Sequence, residues 1–177
     1  MDDLVRQAML KWPNVPACYG WLGLDSRGQW HMRDDRVQAR GRFQSGMEGA
    51  KGAVLRHEKL IGFIHRNYQA DEKGRWYFQN GPQQVYVELE ATPLIWRVCD
   101  DGSVTAHTGA QGQVLESLVD ERGYLYLHTT LGFGLVHTLD VAVAADLIER
   151  GRWTLHECRQ QELPGRFGYV ISPEQAQ

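Results

Sequence analysis

Apolar and polar positions alternate most clearly between residues 74 and 97, in the segment GRWYFQNGPQQVYVELEATPLIWR. Within it, residues 85–90 alternate as Val-Tyr-Val-Glu-Leu-Glu, the pattern of a strand with one packed face. Asn80-Gly81 lies between two such runs, and this pair favours a two-residue type I′ turn. The segment is therefore predicted to form a β-hairpin, and a third strand is expected after Pro93.

A helical period of apolar residues occurs in three places. It predicts a first helix from Asp2 or Asp3 to about Trp12, ended by Pro13. A second helix is predicted over residues 52–67, with Asn67 as its stop. A third is predicted to begin at Asp140 and to end before Gly151, with this buried stripe: Val141, Ala144, Ala145, Leu147 and Ile148.

The remaining apolar runs are short and predict strands. A hairpin is expected from residues 19–24 and 29–32, and further strands are expected at 95–99, 103–108, 114–119, 124–130, 135–139, 153–158 and 166–171. Residues 33–52 are charged and rich in glycine. They predict a loop with one short strand around 37–43, which is either a binding loop or lid or a solvated connection.

One turn motif, with Asp at the first position, a basic residue at the third and Gly at the fourth, occurs three times. The three copies are Asp25-Ser26-Arg27-Gly28, Asp71-Glu72-Lys73-Gly74 and Asp120-Glu121-Arg122-Gly123. The aspartate side chain can form a hydrogen bond with the backbone two residues later in the chain, and glycine readily adopts a left-handed conformation. Residues 71–90 and 120–140 also run in parallel, each with an acidic turn, an aromatic strand, a turn containing glycine and a strand that ends in an acid. This pattern predicts an internal duplication.

The predicted fold is therefore α+β. It consists of two related β-rich halves of antiparallel hairpins, each with an amphipathic helix, plus an N-terminal helix. The halves are expected at residues 1–98 and 99–177, sharing one core or forming a single domain. A ligand is expected in the groove between them.

Composition narrows the class of protein. The chain has 177 residues, 42% of them hydrophobic, and a formal charge of −3, which is typical of a globular protein without a nucleic-acid partner. No apolar run reaches the ~18 residues of a membrane span, and no basic segment with an apolar block marks a signal peptide. A cytoplasmic protein without a membrane partner is expected.

Motifs for common chemistries do not occur. Cys18, Cys99 and Cys158 have no CxxC spacing and are expected to be buried free thiols. No GxSxG, GxGxxG or GxxxxGK[ST] pattern is present. The cofactor is left open.

Two constellations are the candidates for a site. His128 and His137 lie on neighbouring predicted strands and, with Asp140 or Glu90 as oxygen ligand, are a possible metal set; ordinary strand histidines are the alternative. Glu88 and Glu90 lie on the same face of a predicted strand. They are either a functional carboxylate pair, as in glycosidases and metal sites, or two solvated residues at the edge of the sheet. A planar or anionic ligand is expected to meet tryptophan and arginine, and the candidate ligand-binding residues are Trp21, Trp30, Arg66, Trp76, Glu90 and Arg97.

The order of elements resembles uncharacterised bacterial domain-of-unknown-function families with a repeated α/β structural motif. The resemblance rests on LIGFIHRNY, DEKGRWYFQNGPQQVYVELEATPLIWRV, GFGLVHTLDVAVAADLIERG and GRFGYVISPE, and it covers most of the chain after the first helix. It implies a mixed α/β fold and a role in signalling, and it transfers no catalytic residue.

Three functions remain open. The first is a non-catalytic small-ligand-binding or regulatory protein that uses the groove and the loop at 33–52. The second is a metal- or carboxylate-dependent enzyme, such as a hydrolase with a site near His128 and His137. The third is a structural interaction protein that dimerises by a strand edge. The expected partner is a small molecule or another protein, and the expected oligomeric state is a monomer or a homodimer.

Overall fold

The computed structural model describes residues 1–176, which form two compact units. The first unit contains residues 1–25, 29–90 and 169–176, and the second contains residues 26–28 and 91–168. Each unit has one β-sheet and a helix of nine residues that is amphipathic or apolar, while a further helix begins the chain. The predicted α+β fold with two β-rich halves and an N-terminal helix is confirmed.

The first unit is built on a six-stranded sheet with the order β3-β2-β1-β6-β5-β4. Its elements are α1 (Asp3–Lys11), β1 (Cys18–Leu24), β2 (Trp30–Met32), α2 (Asp35–Gln38), β3 (Ala53–Val54), α3 (Glu58–Arg66), β4 (Tyr68–Ala70), β5 (Trp76–Asn80) and β6 (Gln83–Leu89). Strand β1 pairs with β6 in parallel, and the other pairs are antiparallel. Helix α3 packs on β5, where Phe63 meets Phe78 edge-on with ring centroids 5.4 Å apart.

The second unit has a seven-stranded sheet with the order β13-β10-β11-β12-β7-β8-β9. Its elements are β7 (Leu94–Val98), β8 (Val104–Ala106), β9 (Gln111–Gly112), β10 (Val114–Val119), β11 (Leu125–Thr129), β12 (Gly132–Val136), α4 (Val141–Glu149), β13 (Leu155–Glu157) and α5 (Leu163–Phe167). Trp96 is fully buried at the centre and donates its indole N–H to the carbonyl of Leu127 at 3.1 Å. Phe133 stacks on Phe167 at 3.9 Å.

The repeated aspartate turns have one geometry. Asp71 Oδ1 accepts the backbone N–H groups of Lys73 and Arg75, each at 2.9 Å. Asp120 Oδ1 accepts those of Arg122 and Tyr124, also at 2.9 Å. The predicted turn chemistry is therefore present at equivalent places in both units.

Four local predictions are wrong. Residues 35–38 form a helix capped by Asp34, whose carboxylate accepts the N–H of Val37, so no strand occupies 37–43. The helix predicted over 52–67 begins only at Glu58, because residues 53–54 pair with β2. The strand predicted over 166–171 is absent: α5 runs to Phe167 and is capped by Gly168, which has φ 64°.

The fourth error concerns the central hairpin, whose turn lies one residue later than predicted. Asn80 pairs with Gln83, which leaves Gly81 and Pro82 as the two turn residues. Gly81 has φ 57°, and proline holds φ near −65° at the next position. A positive φ at the first turn residue only is the type II′ pattern, not type I′.

In the part of the chain that the structure describes, no helix combines the length and the apolarity needed to cross a bilayer.

Candidate functional site

Arg33 is the buried anchor of the glycine-rich loop of the first unit. Its side chain is only 1% exposed. Its guanidinium donates to the carbonyls of Ala50 at 2.8 Å, Gly20 at 3.0 Å and Gly41 at 2.6 Å. Burial lowers the pKa of Arg33, and the charges of Glu88 and Glu174 oppose that shift. A buried charge needs such partners, so Arg33 determines the path of residues 33–52.

Glu88 lies beneath the same loop and is also 1% exposed. Its carboxylate accepts the side-chain amide of Gln44 at 3.1 Å and the backbone N–H of Glu174 at 3.1 Å. Gln44 Nε2 also lies 3.0 Å from the carbonyl of Leu89 and 3.3 Å from that of Ile171. Gln44 therefore joins the loop to β6 and to the C-terminal segment.

Two cavities adjoin at Gln44, and we call them together the loop cleft. One has a volume of about 420 Å³ and is lined by Arg42, Gln44, Ser45, Ile171, Ser172, Gln175 and Ala176. The other has a volume of about 370 Å³ and is lined by Phe43, Gln44, Gly46, Met47, Gly49, Lys51, Gly52 and Glu90. These volumes fall within the range of small-molecule sites.

An ion pair lines the second cavity of the loop cleft. Lys51 Nζ lies 2.6 Å from Glu90 Oε1, with the two side chains 38% and 29% exposed. The Lys51 ammonium also lies 6.0 Å from the ring centroid of Phe43. Opposite charges beside an aromatic ring can bind a ligand that carries an acid, an amine or both.

Glycine is required at one point of the loop. Gly52 has φ 77°, and a Cβ there would lie 2.2 Å from the carbonyl oxygen of Met32. The loop can pass this close to β2 only without a side chain.

The candidate ligand-binding residues do not line a common cavity. Glu90 lines the loop cleft, and Trp21 borders a separate apolar cavity of the same unit. Trp30 is 2% exposed, and its indole N–H donates to His65 Nε2 at 3.0 Å. Burial lowers the pKa of His65, in keeping with a neutral acceptor.

The other three candidates have structural partners. Trp76 packs on Tyr68 with ring centroids 4.7 Å apart. Arg66 pairs with Asp2 at 3.2 Å, which ties the start of the chain to the end of α3. Arg97 belongs to the second unit, where its guanidinium donates two hydrogen bonds to the Asp140 carboxylate, at 2.5 and 3.1 Å.

His128, His137 and Asp140 of the predicted metal set have other contacts in the structure. Hydrogen bonds from Arg97 lower the pKa of Asp140, which also accepts the backbone N–H of Val98. His137 Nδ1 accepts the N–H of Leu139 at 3.1 Å, and the ring of His128 lies 5.1 Å from that of Phe167. Among residues 1–176, no group of three or more His, Cys, Asp or Glu is placed to hold a metal ion.

Sequence reasoning missed Arg33, Gln44 and Lys51. The signal for them was the density of glycine between charged residues, which marks a loop. That signal does not say which polar side chain turns inward, since a loop has no period from which a face can be assigned.

Comparison with known proteins identifies a sequence family whose description names no activity. The sequence model of the DUF2944 family, described as "Protein of unknown function (DUF2946)", matches residues 1–174. No curated protein matches the chain.

Two solved structures are similar to the chain. One is a DUF1285 family protein from Silicibacter pomeroyi DSS-3, with a TM-score of 0.49, 14% identity and coverage of 83% of this chain and 85% of that one. The other is a DUF1285 family protein from Shewanella baltica OS155, with a TM-score of 0.46, 12% identity and coverage of 71% and 91%.

Proposed function

Because the chain belongs to the DUF2944 family, whose description names no activity, we propose a function from the loop cleft: the protein is a non-catalytic module that binds a small polar ligand. The single observation that supports this proposal is the Lys51–Glu90 pair, half-buried in a cavity of about 370 Å³. In this proposal Lys51 binds an acidic group of the ligand, and Glu90 accepts from an amine or hydroxyl group.

The partial burial of the pair favours a ligand over a purely structural role. About a third of each side chain is still in contact with water, so the pair is close to the exposed ion pairs that contribute only about 0–1 kcal/mol to folding. The Lys51–Glu90 contact can therefore be exchanged for contacts with a ligand at low cost. Inside a cleft, the same charges are less screened by water than on an open surface. The pair can therefore exchange partners when a charged ligand enters.

The cleft lining supports binding more than catalysis. Ser45 and Ser172 line one cavity without an adjacent histidine among the lining residues, and a serine nucleophile needs such a base. The charged groups of the lining are Arg42, Lys51 and Glu90. They suit recognition of a charged ligand.

A thermal-shift screen tests the proposal. The purified protein is heated with acetate, phosphate, glycine or AMP, each alone, up to millimolar concentrations. A ligand present at 100 times its dissociation constant stabilises the folded state by about 2.7 kcal/mol. We expect at least one probe to raise the Tm.

Variants locate the binding. Lys51→Gln is expected to abolish the shift, and Glu90→Gln is expected to reduce it for glycine. Lys59→Gln, on the exposed side of α3, is the matched control and should keep the full shift. The proposal would be overturned if no probe shifted the Tm of the parent, or if Lys51→Gln showed the same shift as the parent.

One observation favours a second candidate function, dimerisation by a strand edge. All three residues of β13 are exposed, and this strand ends its sheet with Leu155 39% exposed. Open edges of this kind pair with other chains. Light scattering should then show a dimer that Leu155→Lys converts to a monomer; a monomer at all concentrations would exclude it.

A further inference from the structure

A third cavity of the first unit, separate from the two of the loop cleft, lies between α3 and the sheet. It has a volume of about 240 Å³. Leu22, Ile64 and Phe78 contribute to its wall and are 3%, 1% and 5% exposed. It shares no lining residue with the loop cleft. Ligand sites typically have such an apolar wall with few polar groups.

Two large apolar side chains stand at this cavity and remain open to water. Trp21 is 39% exposed and Met32 is 43% exposed. They lie on paired strands, since Leu22 is in register with Met32. Tryptophan and methionine together make an adaptable apolar contact surface, and the folded chain leaves this surface uncovered.

The polar groups of the cavity lie where β5 and β6 join. Asn80 and Gln83 are paired in the hairpin and both line the cavity. Gln83 Nε2 is held by the carbonyl of Pro16 at 3.1 Å. Asn80 is exposed, and its amide has both donor and acceptor capacity.

The remaining polar group, the Cys18 thiol, is uncharged at neutral pH. Burial raises its pKa above the ordinary value, so the reactive thiolate is scarce. The cavity therefore contains no charged lining residue, in contrast to the loop cleft.

We propose that this cavity is a second binding site, for a small neutral aromatic compound that carries one polar substituent. Its ring lies against Trp21 and Phe78, and the substituent bonds the amide of Asn80.

The size of the cavity selects this occupant. A dry cavity of about 150 Å³ lined by apolar side chains holds benzene, so 240 Å³ accommodates one or two fused rings. A helix about 10 Å across would not fit. Aromatic walls favour an aromatic guest through edge-to-face contacts.

Phenol and toluene are suitable probes because they differ only in the polar substituent. Each is titrated into the ¹⁵N-labelled protein while two-dimensional NMR spectra are recorded. We expect phenol to shift the signals of the Trp21 indole and the Asn80 side-chain amide, and to bind more tightly than toluene.

Three variants make the test specific. Trp21→Ala should weaken phenol binding at least tenfold, whereas Trp12→Ala, at a tryptophan that is 51% exposed and outside the cavity, should not change it. Asn80→Ala should remove the preference for phenol over toluene while leaving toluene binding intact. Lys51→Gln should bind phenol normally, which separates this site from the loop cleft.

The proposal is overturned if neither probe shifts these signals at millimolar concentration, or if Trp21→Ala binds phenol as the parent does. A second copy of the chain would be the occupant if the parent were a dimer, Trp21→Ala were a monomer and phenol did not dissociate the parent dimer. That result would also overturn the proposal. The far-UV circular dichroism of each variant, compared with the parent, confirms that it is folded.

Discussion

At the scale of single residues, aspartates that are buried or half-buried organise the turns. Asp120 is 5% exposed, and besides its two backbone partners it accepts the hydroxyl of Tyr126 at 2.8 Å. Asp71 accepts the hydroxyl of Tyr86 at 3.1 Å in the same manner. The side chain thus closes its own turn and holds a tyrosine of its sheet, which explains why aspartate occupies this position of the turn.

Replacing Asp120 tests this role. Asp120→Ala leaves the buried hydroxyl of Tyr126 and the N–H groups of two exposed turn residues without their acceptor. A buried unsatisfied group costs about 1–3 kcal/mol, and each lost turn hydrogen bond adds about 0.5–1.5 kcal/mol. We expect a loss of about 2–4 kcal/mol in unfolding free energy, measured by urea denaturation. Asp101→Ala is the control, because that carboxylate is exposed and its hydrogen bonds to the N–H and side chain of Ser103 lie at the surface. Losses of equal size in the two variants would contradict the assignment.

At the scale of elements, two glycines have opposite roles. Gly134 in β12 lies against β7, where an added Cβ would be 2.4 Å from the carbonyl oxygen of Leu94. Gly62 lies inside α3, and its nearest neighbour would be the flexible end of Arg66 at 3.5 Å. The first glycine is required by the parallel strand pair, and the second only weakens its helix.

Alanine at the two positions should therefore act in opposite directions. Gly134→Ala forces β12 and β7 apart and is expected to lower the Tm strongly, by several degrees or more. Gly62→Ala is expected to stabilise α3 by about 0.5–1 kcal/mol, since alanine favours helix over glycine by that amount. Differential scanning calorimetry measures both; a stable Gly134→Ala would show that the strands tolerate the added methyl group.

The loop at 33–52 is expected to depend on Arg33. Arg33→Leu removes the donors to three carbonyls, and each buried carbonyl left unsatisfied costs about 1–3 kcal/mol. Limited proteolysis should then cut within residues 33–52 at a protease concentration that leaves the parent intact. Arg36→Leu, at an exposed arginine of α2, is the control, and equal cleavage of both variants would refute the anchoring role.

At the scale of the whole molecule, each unit contains a carboxylate that makes the free energy of unfolding depend on pH in the acidic range. Burial by itself raises the pKa of Asp71, but hydrogen bonds from Arg75, Tyr86 and the turn N–H groups outweigh it and lower that pKa. In the second unit, hydrogen bonds from Arg97 lower the pKa of Asp140. Both groups bind protons more readily when the chain is unfolded.

The stabilisation by these carboxylates is therefore present above their unfolded pKa of about 3.8 and is lost as pH falls through their lower folded values. We expect the Tm to fall steeply below about pH 4. Asp140→Asn should flatten that fall, because asparagine does not titrate, whereas Asp3→Asn on the exposed surface of α1 should not. Calorimetry from pH 2 to 7 measures the slopes, and identical slopes in the parent and Asp140→Asn would contradict the prediction.

Local signals were sufficient for much of the architecture. Asp140 and Gly151 bounded α4, Pro13 followed α1, and the aspartate turns located the hairpins, since each signal acts over a few residues. Errors arose where two local signals competed. The apolar residues 53–55 extended the helical period of α3, yet they are drawn into the first sheet by pairing with β2.

The candidate site was only partly predictable. Glu90 was found because it continues the alternation of β6, and Trp21 because it stands in an aromatic hairpin. Trp30 and Trp76 have the same local pattern but pack on Tyr68. Burial of one face and exposure of the other depend on which element covers the sheet, and periodicity does not encode that.

By itself, therefore, the sequence determined the α+β class, the hairpins and the turn chemistry, because these follow from period, capping and backbone preference within about ten residues. Only the tertiary structure decided that β1 joins β6 in parallel and that Arg33 turns inward. It also decided that Gln44 meets Ile171, 127 residues away. Such contacts result from competition among many possible packings, and their free energy depends on the whole folded unit rather than on any local stretch of chain.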